Sequence, residues 1–508
     1  MIATLGVLAM VFEESKAQAD ERPNIVMIMA DDLGYSDIGC YGGEISTPNL
    51  DQLARDGMQM TQFYNCAKCT TTRAALVTGR YPRPKDGLLD RTDLTIGELM
   101  KTAGYATSLS GKWHLGHGDD QHPYQRGFDR FYGLLDGCCN FFDPSIPDPP
   151  FKGSRVRVFG QDDQLITEFP KGYYTTTAFT DHAIESIEAF APGETPFFLH
   201  VTYTAPHYPL HAPPETIAKY RGKYMGGWHE LRNSRWKRQQ ELGLFKPGLT
   251  LSPTDSKAYD WDTADQRWED LRMATYAAMI DEIDQQIGRL VQALETTGEL
   301  DNTLFMFFAD NGGCAEEPGG RDTSRIPGPK DFYTAVGPSW GWAQNTPFKR
   351  YKQFVHEGGI STPMIVHWPA KISPGTKSDA VGHVIDLAAT CADVGQVGWP
   401  ESYNGNRVGP VEGKSLLPVF AGDNADRHQT LYWEWSGNRA IRRGNDKLVY
   451  DKLTKEWSLY DIAVDRTETV DRTESEPALA EKLKTDWTKW AKETGVWKDK
   501  VTEKKKKS

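Results

Sequence analysis

Three long apolar runs, each ending in a polar cluster, constrain the fold of this chain more than any other feature. Asn24-Ile25-Val26-Met27-Ile28-Met29-Ala30 leads into Asp31-Asp32-Leu33-Gly34. Pro196-Phe197-Phe198-Leu199-His200-Val201-Thr202-Tyr203 leads into Thr204-Ala205-Pro206-His207, and Thr303-Leu304-Phe305-Met306-Phe307-Phe308-Ala309 into Asp310-Asn311-Gly312-Gly313. Strands without polar alternation are covered on both faces, as in a parallel sheet with helices on either side. Ligands bind beyond the carboxyl ends of such strands, so the three polar clusters are expected to converge. Before the third run, Tyr276, Met279, Ile280, Ile283, Ile287, Leu290, Val291 and Leu294 recur at helical spacing, with Gly298 as the stop. Helix followed by strand reads as part of a β-α-β unit.

The pattern changes from about Arg427. Short strand candidates Thr430–Trp435, Arg439–Arg442, Lys447–Tyr450 and Trp457–Tyr460 precede a helix with Leu479, Leu483, Trp487 and Trp490. They predict a small antiparallel sheet with one packed helix. The expected fold is therefore α/β: a large central, mostly parallel sheet flanked by helices, with a smaller C-terminal antiparallel sheet plus helix subdomain. A chain of 508 residues is long enough for both. The expected boundaries are 20–426, 427–498 and a basic, disordered tail at 499–508 containing Lys504 to Lys507. The stretch 213–262, rich in Arg, Lys, Trp and Gly, reads as an irregular insertion near the site.

A formal charge of -12 argues against nucleic acid as a partner but allows a local basic pocket for an anionic substrate. Ile2 to Phe12 is apolar, and Ala17-Gln18-Ala19 resembles a signal-peptidase site, so 1–19 is expected to be a signal peptide. The protein is then exported, periplasmic or secreted. That run is too short to span a bilayer, and no stable membrane span is expected. Seven cysteines leave at least one without an internal partner, and Cys69 is taken to be that one. Cys66-x-x-Cys69 has the spacing of half a zinc site or a redox pair. No second such pair exists, and Cys138-Cys139 has the wrong spacing.

Cys69-Thr70-Thr71-Thr72-Arg73-Ala74-Ala75-Leu76-Val77-Thr78-Gly79-Arg80 places a thiol at the start of a predicted helix, with an arginine one turn on. Free backbone N–H groups and a guanidinium make this an electropositive place to hold an anion beside a nucleophile. Asp31, Asp32, Asp310 and Asn311 offer oxygen ligands, which select a hard cation. Calcium suits the set better than magnesium, which stays possible.

The Cys69 segment resembles the core of the formylglycine-dependent sulfatases of the alkaline phosphatase superfamily: Cys, any residue, Pro or Ala, any residue, Arg, then Leu-x-Thr-Gly. Cys69, Arg73, Leu76, Thr78 and Gly79 fit. Thr71 departs, at a position that helps the maturation enzyme recognise the unfolded chain. Gly111-Lys112-Trp113-His114-Leu115-Gly116, Ala205-Pro206-His207-Tyr208-Pro209-Leu210 and Asn345 to Ile360 resemble further elements of that family. The resemblance implies that Cys69 is oxidised to formylglycine by a formylglycine-generating maturation enzyme. Lys112 and Lys352 then contact sulfate, His114 hydrogen-bonds the nucleophile and His207 protonates the leaving oxygen, a task suited to a near-neutral imidazole pKa. Arg73 steadies the diol oxygen and the charge at the metal, Ca2+, held by Asp31, Asp32, Asp310, Asn311 and residue 69. One hydroxyl of the hydrated aldehyde attacks sulfur, and the other expels sulfate.

The implied activity is hydrolysis of a sulfated carbohydrate or aryl sulfate. Competing readings are a phosphate or phosphonate monoester hydrolase of the same superfamily, and a non-catalytic binder of sulfated glycans with Cys69 unmodified. Trp228, His229, Arg232, Arg235, Trp236, Arg321, Arg325 and Trp340 are sugar-contact candidates or ordinary packing. His211 is read as shaping the pocket; His356 is either a support for the site or a packed histidine.

Overall fold

The computed structural model describes residues 22–83, 88–118, 120–193 and 195–496. The expected signal peptide and basic tail lie outside the described residues. Eleven strands form one sheet: β1 (Asn24–Ala30), β2 (Met58–Tyr64), β3 (Ala106–Gly111), β4 (Arg130–Leu134), β5 (Phe159–Gln161), β6 (Gln164–Ile166), β7 (Phe197–Thr202), β8 (Thr303–Ala309), β9 (Ser361–His367), β10 (Thr376–Ser378) and β11 (Gly382–His383). Their order is β10-β2-β9-β8-β1-β7-β3-β4-β5-β6, with β11 also beside β2. The central set β8-β1-β7-β3-β4 is parallel, and β9 enters antiparallel against both β8 and β2. Every residue of β1, β7 and β8 is buried, as expected for strands covered on both faces.

Helix Gln266–Thr297 packs its apolar stripe on one face and ends at Gly298, whose φ of 76° is left-handed. Its Tyr276 hydroxyl donates to the Asp32 carbonyl at 3.0 Å and to Asp37 at 2.7 Å, so this helix also holds the loop after β1. The stretch 213–262 is not an irregular insertion. It contains helices Pro214–Ala218 and Gly227–Glu241. The second was missed because its buried face is Trp228, Leu231, Arg232, Arg235 and Gln239, which has helical spacing but little apolar signal.

After a short hairpin, β12 (Ser402–Tyr403) and β13 (Asn406–Arg407), comes an antiparallel sheet of β14 (Thr430–Trp435), β15 (Asn438–Arg443), β16 (Asp446–Asp451) and β17 (Glu456–Asp461). Helix Pro477–Glu493 covers it with Ala480, Leu483, Trp487 and Ala491.

This sheet is tied to the large one by a buried ion cluster. Lys447 on β16 pairs with Glu357 at 2.7 Å and Glu468 at 2.9 Å, all three fully or almost fully buried. Glu357 also accepts from Arg466 at 2.9 Å, Ser361 at 2.9 Å and Tyr64 at 3.0 Å. Burial opposes its ionisation, but Lys447 and Arg466 outweigh burial and hold the Glu357 carboxyl down at about 2. Removing one partner of such a buried set leaves an uncompensated charge, at about 3–5 kcal/mol. Lys447→Met should therefore lower the denaturant midpoint by that much free energy at an unchanged m-value. A midpoint like the wild type's would refute the coupling.

Candidate active site

The parallel register delivers the polar clusters to one edge. Ala30 lies beside Ala309, Met29 beside Thr202, and Thr202 beside Gly111. The backbone continues the ladder past the strand ends: Asp31 N–H donates to Ala205 O at 3.0 Å, Asp310 N–H to Ala30 O at 3.1 Å and Lys112 N–H to Thr202 O at 2.7 Å. Asp32 then turns with φ of 65° and His114 with φ of 60°, left-handed values uncommon outside glycine and concentrated at functional sites.

Helix Cys69–Thr78 begins at this edge. Its start is pinned by Thr72, whose hydroxyl donates to Asp310 O at 2.6 Å and accepts from Cys66 N–H at 2.9 Å. Arg73, one turn on, donates to Lys112 O at 2.6 Å and to Asp310 Oδ2 at 2.9 Å, and stands 3.7 Å from Asp31 Oδ2. Lys112 Nζ donates to Asp31 Oδ2. Lys352 Nζ pairs with Asp32 Oδ1 at 2.7 Å, and Asp32 N–H donates to Asp310 Oδ1 at 3.2 Å. His207 Nδ1–H donates to Tyr208 O at 2.5 Å, which leaves Nε2 facing Asp32 Oδ2 at 3.6 Å. Cys69, Arg73, Lys112, His207 and Lys352 are all buried together with Asp31, Asp32, Asp310 and Asn311.

Burial raises the Cys69 thiol, but Lys112, Lys68 and Lys352 outweigh it and the pKa falls below the usual value. Burial also opposes ionisation of Asp32, which is nonetheless lowered by Lys352, His207 and the Asn311 amide. Asp31 goes up, because burial and Asp310 together exceed Lys112. His207 is pushed down to about 3 by burial, with Lys352 and Lys112 reinforcing and Asp32 opposing. At neutral pH the free site therefore holds a neutral imidazole rather than one poised near neutrality.

The donor set fits a hard cation. Asp31 Oδ1 and Asn311 Oδ1 are buried acceptors with no hydrogen-bond partner among the described residues, and Asn311 Nδ2 already donates to Asp32 Oδ1 at 2.7 Å. Ligand atoms of Asp31, Asp32 and His207 lie within 4.8 Å of one another. The structure thus adds an imidazole to the oxygen set read from the sequence, while Asp310 is engaged by Arg73 and by the Asp32 amide.

His114 is half-buried, with its Nδ1 unpartnered among the described residues, and burial, Lys112 and Arg73 hold it well below the usual range. It makes no hydrogen bond to the thiol at position 69. Glu316, Tyr208 and Gln353 were not foreseen. The Glu316 carboxylate accepts from Gln353 Nε2 at 2.6 Å and Tyr208 Oη at 3.1 Å, and lies 3.6 Å from Lys352 Nζ. Its signal was only an acidic pair shortly after Gly312-Gly313.

Most sugar-contact candidates are packing. Trp228 and Trp340 meet edge to face in the core, Arg232 donates to Trp342 O and Pro347 O, and Arg235 pairs with Asp37 and Glu44. Arg321 pairs with Glu269 and Arg325 with Asp331. His211 holds Phe141 N–H and Phe332 O, and His356 is buried beside the Phe354 ring. Cys66 and Cys69 are both free thiols.

A carboxylate cluster faced by two lysines and an arginine, at the carboxyl edge of a parallel sheet, is the equipment of a hydrolase acting on anionic esters. The family model described as Sulfatase matches residues 23–397, and that of the N-sulphoglucosamine sulphohydrolase C-terminal region matches 348–492. The chain belongs to the sulfatase family, enzymes that hydrolyse sulfate esters. An uncharacterised sulfatase of Schizosaccharomyces pombe is 32% identical over 95% of this chain and 96% of its own length. An arylsulfatase of Klebsiella aerogenes is 32% identical over 82% of this chain and 96% of its own. A solved structure of Ps i-CgsB in complex with k-i-k-neocarrahexaose superposes with a TM-score of 0.69 at 27% identity, covering 92% of this chain and 93% of that one.

Loss of one preorganised donor to a developing anion typically costs about 10²–10³ in rate. Lys352→Gln should lower kcat/KM on an aryl sulfate by at least about 100-fold with a cooperative melt retained. Near-wild-type turnover would remove Lys352 from the anion site.

Proposed function

We propose that this protein hydrolyses sulfate monoesters of a carbohydrate, using oxidised Cys69 and one calcium ion. The observation that carries the reading is the position of Cys69 at a helix start, facing Lys112, Lys352, Arg73 and Asp31. The unpartnered oxygens of Asp31 and Asn311 lie in the same cluster. Asp31, Asp32, Asp310, Asn311 and residue 69 would hold the ion, with His207 close by. When bound, it would supply Lewis-acid stabilisation of negative charge on oxygen. The thiol stands in for the aldehyde that a maturation enzyme would generate, whose hydrated form supplies the oxygen nucleophile.

The protein's own groups do the rest. Lys112 and Lys352 are held by carboxylates at rest and turn to the non-bridging sulfate oxygens, whose charge they neutralise in a desolvated pocket. Arg73 fixes the Lys112 backbone and Asp310 together, which keeps residue 69 and the carboxylates in register. His207 has its Nδ1–H committed to Tyr208 O, so Nε2 carries the proton given to the leaving alcohol. Since the free imidazole is neutral, that proton is taken up as the anionic ester arrives and opposes the effect of Lys352 and Lys112. A carbohydrate is favoured because a solved relative at 27% identity was captured with an oligosaccharide. Export, and boundaries of 20–426 and 427–498, belong to the same reading.

Peptide mass spectrometry of protein from its native source should find the Cys69 peptide about 18 Da light, the change from thiol to aldehyde. An unmodified peptide in active material would overturn the nucleophile. Given sulfate and phosphate monoesters of the same phenol, the enzyme should turn over the sulfate faster. The reverse preference would make it a phosphatase.

A further inference from the structure

Glu316 brings a negative charge to a pocket built for an anion, which is unexpected unless the charge serves selection. Its side chain is 32% exposed whereas Lys352 beside it is 1% exposed, so Glu316 stands at the mouth and the ammonium lies deeper. It is fixed from several sides. Tyr208 Oη on the loop after β7 donates to it at 3.1 Å, Gln353 Nε2 at 2.6 Å and the Cys314 thiol at 3.5 Å. Lys352 faces it at 3.6 Å. Lys68 and Asp32 also act on it, and Lys152 lies 5.2 Å above the Tyr208 ring. Burial works against its ionisation, but Lys352 and Lys68 outweigh burial and keep the carboxyl below its ordinary range, which favours the charged form.

We propose that Glu316 is a specificity-determining residue that favours singly charged sulfate esters over doubly charged phosphate esters. The inference rests on the sulfate-ester reading above. An anion hydrogen-bonded to the Lys352 ammonium stands within about 6.5 Å of Glu316. A sulfate monoester carries one charge there. A phosphate monoester carries nearly two above its second pKa of about 6. Repulsion scales with the charge, so each additional charge costs the same factor again. The lysines and metal-side groups attract both esters, and Glu316 tilts the balance between them. Tyr208 and Gln353 hold the carboxylate in place, 3.6 Å from the Lys352 ammonium.

The test is competitive inhibition of aryl sulfate turnover at about pH 8 by phenyl phosphate, doubly charged, and by benzylsulfonate, singly charged and of similar shape. In Glu316→Gln, benzylsulfonate should bind about 3-fold tighter, a lower bound for a water-like dielectric, and phenyl phosphate by the square of that factor, about 10-fold. Glu316→Asp, which keeps the charge, should leave the ratio of the two inhibition constants near the wild type's. Equal factors for the two inhibitors, or weaker binding of both, would show that Glu316 only supports Lys352 and would overturn the proposal. Should Glu316→Gln fail to fold, Glu316→Ala carries the same test, with the same unequal factors expected for the two inhibitors and equal factors overturning the proposal. Absence of aryl sulfate turnover in the wild type would instead count against the sulfatase reading itself, and so separates the two failures.

Discussion

The structure depends on pairing charges that its own sheet forces out of water. Four adjacent parallel strands end together, and the residues that follow place Asp31, Asp32 and Asp310 in one dry cluster. Unpaired, such a set would cost several kcal/mol per ion. Arg73, Lys112 and Lys352 supply the pairing, each from a different segment, and so bind the helix Cys69–Thr78, the end of β3 and the loop before β9 to the ends of β1 and β8. The same three cations are the groups an incoming sulfate would need. Stability at rest and anion binding in the proposed reaction would then draw on one set of contacts, and the acceptors of Asp31 and Asn311 that have no partner among the described residues fit a cation there.

That arrangement also explains why the histidines behave differently from free imidazole. Burial and the neighbouring lysines act on both rings and hold His114 and His207 below the usual imidazole range. Glu316 lies outside the inner cluster, 3.6 Å from the Lys352 ammonium and more exposed than it, where its field would act on an anion that reaches Lys352.

Much of the fold was legible because burial on both faces leaves an unmistakable composition. The three apolar runs became β1, β7 and β8, and the stripe from Tyr276 to Leu294 became the long helix. The small strands β14 to β17 were found nearly to the residue, since turns at Gly437 and Gly444 punctuate them. The helix Gly227–Glu241 was hidden because ionic and aromatic groups, not aliphatic ones, fill its inner face. At the site, residues in short motifs were readable, whereas Glu316 was not. Its placement comes from Tyr208 and Gln353, far away in sequence, and no local spacing records that meeting.

The position of Lys352 shows how far the support for one buried charge extends. Its backbone N–H donates to Gly313 O at 3.1 Å, and its neighbour Gln353 takes φ of 75° to reach Ala67 O at 2.8 Å. The loop can fold this tightly because Gly358 and Gly359 lie beneath it: a Cβ there would meet Arg350 O at 2.3 Å and Phe354 O at 1.9 Å. From outside, Asn438 on β15 donates to Gln353 O at 2.8 Å, and Asp451 on β16 pairs with Arg350 at 2.6 Å. Glu357, the residue next to those glycines, is the anion on which Lys447 and Arg466 converge. The Glu-Gly-Gly sequence is therefore one device with two functions, a close approach for the lysine loop and an anchor for the C-terminal sheet. The second sheet is the outer wall that keeps the Lys352 ammonium at the end of β1.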